Sequence, residues 1–497
     1  MNTENRLIVI SHRLPINVES TASGYEVHTS SGGLVTALDS VLRKYSGVWI
    51  GHVGQQATDE VARLIELASL NQSYQLHTVL LSPEEVSNFY HGFSNEIIWP
   101  LFHDLQSRCN FSPEYWSAYC TVNERFAETA VRFATHDSFV WVHDYHFTLL
   151  AQYLRRRNDS CGIGLFQHIP FPPPDIFEKL PWRRDILRGM LMYDVVGFQT
   201  QRDQNNFGNC LQALLPECTF TVSDDSLHVR FEDRSVRVKS FPISIDFHAF
   251  ADVAAEPAVR ARARQLRQEQ QGRKIILGVD RLDYTKGIIE RLRAYSYMLR
   301  TWPQMRRGVT MVQVVVPSRV DIPKYLELKE EVERLVGEIN GEFSDVGWVP
   351  VHYLYRTMPR EELIAHYVAA DIALITPLKD GMNLVAKEYC ASQVGNTGVL
   401  ILSEFAGAAK ELLDGALLVN PNDQQAVAHA IMRAAQMPVS ECVARMQRLR
   451  RQLREHDVYD WAESFLEAGA NPAQRRTCLM SARTSEGETR VAGCGNN

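Results

Sequence analysis

Runs of charged and hydrogen-bonding residues recur in this 497-residue chain directly behind short β-branched stretches. That is where an α/β enzyme keeps its reactive groups. Behind residues 274–279 stand Asp280, Arg281, Asp283, Lys286 and Gly287. Two cations five residues apart at such a place suit a diphosphate, a fixed guanidinium beside an ammonium point charge. An ion pair of Arg281 with Asp283 is the other use these side chains allow. Arg319, in Pro317-Ser318-Arg319, brings a third cation behind the next stretch. The densest run goes from Pro377 to Glu388 and contains Lys379, Asp380, Gly381, Asn383 and Lys387. A strand end, a glycine turn and a helix start leave backbone N–H groups unpaired, as a bound phosphate requires. Glu388 falls one helical turn beyond Leu384, placed to accept hydrogen bonds from ribose hydroxyls, and Asp380 projects towards a sugar.

Residues 7–11 run into His12, Arg13 and Pro15, and Ser30, Ser31, Gly32 and Gly33 then open a helical pattern. Paired glycines at a helix start either make a tight turn or let N–H groups approach an anion. His143, Asp144, Tyr145 and His146 follow one strand-like stretch, and His168 and Ile169 follow the next. Each histidine alone reads as a hydrogen-bonded core residue. Two neighbouring strands that both end in histidine point instead to the polar floor of a cleft. The spacing matches no zinc-enzyme motif.

The elements that must position these residues can be read from periodicity. Eleven short apolar runs begin near residues 7, 48, 139, 163, 195, 236, 274, 311, 371, 399 and 416. They are nearly unbroken rather than alternating, which predicts parallel strands covered on both faces. Amphipathic stretches lie between them, as in 324–340 with Tyr325, Leu328, Val332, Leu335 and Ile339 at helical spacing. Eleven strands exceed one comfortable open sheet, so two doubly wound domains facing a cleft are expected. The division falls in the Ala-, Arg- and Gln-rich stretch 247–271. This predicts domains over 1–246 and 247–455, a helix over 456–470 and a disordered tail over 471–497.

Composition removes whole classes of function. With 52 basic and 59 acidic residues the net charge is -7, so there is no global basic field for nucleic acid or membrane. Arg-rich 445–454 carries Met446, Leu449 and Leu453 at helical spacing and reads as an amphipathic helix. No run approaches a membrane span, and the N-terminus lacks a signal-peptide core. Nine scattered cysteines without a Cys-x-x-Cys pair predict neither disulfide scaffold nor zinc ribbon, and a cytoplasmic setting. The chain has no P-loop, no Gly-x-Ser-x-Gly elbow and no Asp-x-Asp of a metal-dependent sugar-nucleotide site.

Eight motifs stand in register from about residue 5 to about 470. They are Ser-His-Arg-Leu-Pro, Ser-Gly-Gly-Leu, Asn88-Phe89-Tyr90 with Trp99-Pro100, Val-His-Asp-Tyr-His, His-Ile-Pro-Phe-Pro, Arg-Leu-Asp-Tyr-Thr-Lys-Gly, Pro-Ser-Arg and Asp-Gly-Met-Asn-Leu-Val-Ala-Lys-Glu. Together they closely resemble the trehalose-6-phosphate synthases, glycosyltransferase family 20.

The resemblance implies a GT-B fold of two Rossmann-like domains and a retaining, metal-independent transfer that needs no cofactor. Glucose would pass from UDP-glucose to glucose 6-phosphate, giving α,α-trehalose 6-phosphate and UDP. Carried over by position, Arg13, Tyr90, Trp99, Asp144 and Arg319 look like acceptor contacts, with the arginines on the phosphate. Gly32, Gly33, Arg281, Lys286, Met358, Leu384, Val385, Ala386, Lys387 and Glu388 look like donor contacts. His168 and Asp380 look like partners of the transferred glucose, so His168, Asp380, Arg281 and Lys286 form the expected catalytic set. Trp99 and Ile169 fall where the family fixes the anomeric outcome. A homo-oligomer, dimer or tetramer, and a separate downstream phosphatase are expected with it. His12 stands where Asn is usual, and Met358 where the residue is often aromatic. The alternatives are a glucosylglycerol-phosphate synthase using ADP-glucose and glycerol 3-phosphate, and a catalytically silent regulatory subunit.

Overall fold

The computed structural model describes residues 7–21, 24–29, 33–45, 47–54, 59–70, 73–319 and 322–469. Gly32 and the tail expected over 471–497 lie outside these residues. The chain divides into two compact units. One comprises Met1–Pro242 with Val458–Asn497, the other Ile243–Asp457.

The strands of the first unit are β1 (Leu7–Arg13), β2 (Ile16–Thr21), β3 (Gly24–Thr29), β4 (Gly47–His52), β5 (Gln75–Thr78), β6 (Phe139–His143), β7 (Gly162–Phe166), β8 (Val195–Phe198), β9 (Thr219–Ser223), β10 (Ser226–Phe231) and β11 (Arg234–Ser240). Nine of them form one sheet in the order β5-β4-β1-β6-β7-β8-β11-β10-β9. Neighbours from β5 to β11 are parallel, and β10 and β9 extend the edge as an antiparallel ribbon. The chain builds outward from β1 through β4 and β5, then returns to the other side of β1 to begin β6. The crevice beside the strand C-termini at such a reversal is where open α/β sheets bind ligands.

The second unit repeats the plan with β12 (Lys274–Arg281), β13 (Val309–Val316), β14 (Val351–Tyr355), β15 (Ile372–Ile375), β16 (Val399–Ser403) and β17 (Leu417–Val419). Its order is β14-β13-β12-β15-β16-β17, parallel throughout, with the reversal between β12 and β15. Central strands such as β4, β6, β7 and β16 are buried at every residue, which is why their sequences show no alternation.

The helix Val458–Gly469 packs within the first unit. Its Trp461 and Phe465 rings lie 4.9 and 5.0 Å from Trp141 of β6, and Phe465 also meets Phe139 and Phe166. Room for it exists because β8 carries Gly197, where a Cβ would come 2.7 Å from the Phe465 ring. The Arg-rich stretch folds as the helix Val439–Glu455 and buries Met446, Leu449 and Leu453, as its spacing predicts. All eleven strands read from the sequence are present. The hairpin β2–β3, the strands β5, β9, β10 and β14, and a π-helix over Val86–Ile98 were not foreseen.

Candidate active site

The reversal in each unit gathers one polar cluster. In the first unit, β1 ends in His12 and Arg13, and β6 ends in His143 followed by Asp144. The π-helix Val86–Ile98 brings Tyr90 to the same place, and wide turns of this kind mark functional positions. The Arg13 guanidinium lies 5.6 Å from the centre of the Tyr90 ring. His12 is sandwiched, stacked on Tyr90 at 4.3 Å and on His146 at 4.9 Å, and Tyr145 stacks on His146 at 4.1 Å. Burial holds the His12 imidazole well below its usual pKa, helped by His146, Arg13, His52 and His91. It is neutral beside a permanent cation.

Trp99 opens the next helix, with its ring 6.0 Å from Tyr145. Asp144 sits at φ 75° and ψ 172°, a region that side chains other than glycine avoid and that active sites tolerate. Its Oδ1 accepts the His168 backbone N–H at 3.1 Å. The His168 ring meets His143 through Nε2 at 3.0 Å and Gln199 through Nδ1 at 3.4 Å. Burial pushes its pKa down to about 3. Ile169 follows, buried. Arg13, Tyr90, Trp99, Asp144, His168 and Ile169 therefore all belong to the first unit.

In the second unit, the β12 and β15 loops converge. Lys286 Nζ donates to Asp380 Oδ2 at 2.6 Å, and Asn383 Nδ2 reaches the same oxygen at 3.1 Å. Asn383 takes a left-handed conformation and caps the helix Leu384–Ser392, its Oδ1 accepting Ala386 N–H. Leu384, Val385 and Ala386 thus form the first turn, whose N–H groups attract anions. Gly287, at φ 63°, lies so close to the Thr376 carbonyl that a Cβ would stand 2.1 Å from its oxygen.

The buried carboxylate at the centre is Asp283. The alternative pairing with Arg281 is not made; Asp283 binds Arg319 at 3.2 Å, and its other oxygen takes the Thr285 N–H and hydroxyl. Burial raises its pKa, but Arg319, Lys286 and Arg281 outweigh that and hold it low. Arg281 ends β12 exposed, with no ion-pair partner among the described residues. Beneath the loop, buried Arg291 binds Asp280, the Thr376 hydroxyl at 3.1 Å and the Lys286 carbonyl at 3.3 Å.

Glu388 is half-buried, and desolvation raises its pKa against the opposing hydrogen bond from Tyr367 at 2.8 Å. Lys387 is turned away: its ammonium binds both Glu411 oxygens at 2.9 and 3.0 Å and the Ile243 carbonyl at 2.7 Å. Only its backbone can serve the helix start. Met358 stands half-buried between β14 and the helix Arg360–Ala369. Gly33 opens the helix Gly33–Tyr45. Tyr367 and Arg291 were not singled out as site-building residues, and Asp283 was read only as a partner for Arg281. Asn383 was legible as a capping residue before a helix. The other partners are brought together only by the sheet. No group of three or more His, Cys, Asp or Glu side chains among the described residues could hold a metal ion.

Two doubly wound units, each with a polar cluster at its reversal point, define a glycosyltransferase of the GT-B class. The chain belongs to glycosyltransferase family 20, whose model matches residues 5–471. It is 45% identical over 468 residues to the trehalose-6-phosphate synthase of Mycolicibacterium smegmatis, covering 93% of this chain and 92% of that protein. The Mycobacterium tuberculosis H37Rv enzyme of the same name is 42% identical, covering 94% and 96%. Among solved structures, an α,α-trehalose-phosphate synthase (UDP-forming) from Burkholderia xenovorans, in complex with glucose 6-phosphate, superposes with a TM-score of 0.84. It is 33% identical, over 93% of this chain and 99% of that one. An E. coli structure bound with UDP-2-fluoro glucose gives 0.82 at 33% identity, over 93% and 98%. No described helix is long and apolar enough to cross a membrane.

Proposed function

We propose that this glycosyltransferase moves glucose from UDP-glucose to glucose 6-phosphate with retention, without a metal ion, releasing UDP and α,α-trehalose 6-phosphate. The observation that carries the reading is the second-unit cluster, where Lys286, Asp380 and Asn383 meet at the start of the helix Leu384–Ser392. The diphosphate lies on Arg281, Lys286 and the helix-start N–H groups of the second unit. Glu388, kept in place by Tyr367, accepts the ribose hydroxyls, and Met358 flanks the nucleotide. In the first unit, Arg13, Tyr90, Trp99 and Asp144 take the acceptor, with Arg13 on its phosphate; in the second, Arg319 is a further cation for an acceptor phosphate. His168 and Asp380 orient the transferred glucose, and Trp99 and Ile169 favour the α product.

In the transfer, the bond between glucose C1 and the UDP β-phosphate oxygen breaks. A bond from C1 to the anomeric hydroxyl oxygen of glucose 6-phosphate forms on the same face. The hydroxyl proton passes to the departing phosphate oxygen, so no protein base is required. Charge growing on that phosphate is met by preorganised cations and amides. Relatives solved with glucose 6-phosphate and with a fluorinated UDP-glucose support both substrates, and a related structure addresses transfer with retention. The test is nucleotide release with EDTA present, pairing UDP-, GDP- or ADP-glucose with glucose 6-phosphate or glycerol 3-phosphate. UDP release with glucose 6-phosphate and a 1,1-linked α,α product by NMR is expected. Release only with glycerol 3-phosphate, or a requirement for added metal, overturns it.

A further inference from the structure

We infer that His143 is a positioning residue for this transfer: its Nδ1–H, donated to His168 Nε2, holds the His168 imidazole in the tautomer that presents a proton on Nδ1. The inference rests on the reading that His168 meets the transferred glucose.

His143 ends β6 and is buried, and in the parallel ladder it stands opposite Phe166, the last residue of β7. His168 follows two residues later. The two rings come together with Nδ1 of one 3.0 Å from Nε2 of the other. Two imidazole nitrogens at this distance share one proton, so one donates and the other accepts. The surroundings decide which. Besides His168, the rings around His143 are Trp141 at 4.7 Å, Trp461 at 6.3 Å and Phe166 at 6.4 Å. An indole nitrogen only donates, and a phenyl ring offers no lone pair in its plane. The far nitrogen of His143, Nε2, is buried and has no hydrogen-bond partner among the described residues; the Trp141 and Trp461 indole nitrogens are in the same position.

A proton on that Nε2 would be a buried donor among donors, with no acceptor in its ring shell. A bare lone pair there is the less costly choice. The proton of His143 therefore sits on Nδ1 and points at His168 Nε2. Neutral His168 must then carry its own proton on Nδ1. That atom faces the Gln199 amide at 3.4 Å, the longest of the contacts that hold His168. A half-turn of the amide, which exchanges N for O, lets Gln199 accept it. A sugar hydroxyl can take that place as acceptor. Burial, which lowers the pKa of both imidazoles, keeps the pair uncharged, and Asp144 meets His168 through the backbone N–H.

Three full-length variants test this: His143→Leu removes the donor, His143→Asn keeps an N–H near the Nδ1 position, and His168→Leu removes the group being positioned. Expected are a turnover loss of about 10- to 100-fold for His143→Leu with both KM values within about threefold, and recovery to within about fivefold of wild type for His143→Asn. Wild-type turnover in His143→Leu beside an impaired His168→Leu overturns the role of His143 alone. Wild-type turnover in His168→Leu overturns the site reading beneath it. Equal turnover losses in the Leu and Asn variants, both with normal melting, overturn the tautomer argument. Should His143→Leu not fold, nitrogen-15 NMR of the histidine-labelled wild type decides. A protonated His168 Nδ1 is expected, and a protonated Nε2 refutes the assignment.

Discussion

Replacing Gly287 with alanine strikes the donor loop at a point where the consequence can be worked out. The residue is left-handed at φ 63°, and the new Cβ would lie 2.1 Å from the Thr376 carbonyl oxygen and 3.6 Å from Leu378. An ordinary contact needs more than 3 Å, so the β12 and β15 loops must part by about 1 Å. Neither yields freely, because Arg291 ties the Thr376 hydroxyl and Leu378 N–H is bound to the Thr285 carbonyl at 2.8 Å. The left-handed backbone costs about 1–2 kcal/mol and overpacking about 1–3 kcal/mol more, giving about 2–5 kcal/mol in all. In a unit of this size each kcal/mol lowers the melting midpoint by about 2–4 °C, so a fall of roughly 4–20 °C is expected. Lys286 precedes Gly287 and holds Asp380 at 2.6 Å, so parting the loops also separates that pair. A loss of catalytic positioning of that order costs about 10²-fold in turnover. Differential scanning fluorimetry and the nucleotide-release assay read the two effects on one sample. An unchanged midpoint with wild-type turnover would refute the packing of these loops.

Arg281→Ala removes an exposed cation that has no ion-pair partner among the described residues, so it should melt normally yet lose about 10²-fold or more in turnover; near-normal turnover excludes it from the leaving group. His12→Asn breaks the stack with Tyr90 and His146 and should change the KM for the phosphorylated acceptor several-fold while the donor KM stays put. A shift in donor KM alone would place His12 elsewhere. Stability should also fall in mild acid. Burial lowers His52 to about 4 and His168 to about 3, so their neutral forms stabilise the fold fully above about pH 6.5. That stability is lost as pH falls through 6.5 towards those values, about 2 kcal/mol for each histidine at pH 5. His12 and His143 act in the same sense, and among the described residues half-buried Glu388, shifted upward, opposes them. Urea unfolding that gave equal stability at pH 7 and pH 5 would contradict this.

Most of the strands that were legible are buried on both faces, where β-branched residues crowd without interruption. Of the ones missed, β5, β9 and β14 sit at sheet edges. β5 is four residues long and mostly uncovered, and β9 is exposed along most of its length, so neither needs an apolar run. The π-helix was invisible because its residues keep ordinary helical composition, and only the register of hydrogen bonds differs. At the site, residue types were readable because an anion needs cations and helix-start amides wherever the chain places them. Partnerships were not. Asp283 lies two residues from Arg281 yet binds Arg319, because the β12–β13 register sets those two strand ends side by side. Lys387 shares a helix start with Glu388, but one helical step turns its ammonium to Glu411 and the carboxylate to Tyr367. Such choices depend on which face a side chain leaves from, and a linear reading carries no faces.

The placement of Trp461 and Phe465 beneath β6, β7 and β8 also has a consequence for biosynthesis. A ribosome releases the first unit's strands early, but the helix that covers them emerges only after the whole second unit. At about 5–20 residues per second, roughly 200 intervening residues leave Trp141, Phe166 and Gly197 uncovered for about 10–40 s. The nascent first unit therefore waits with an apolar groove open to solvent, a binding surface for chaperones and a hazard at high expression. A message cut short before Val458 would yield a chain that never closes it.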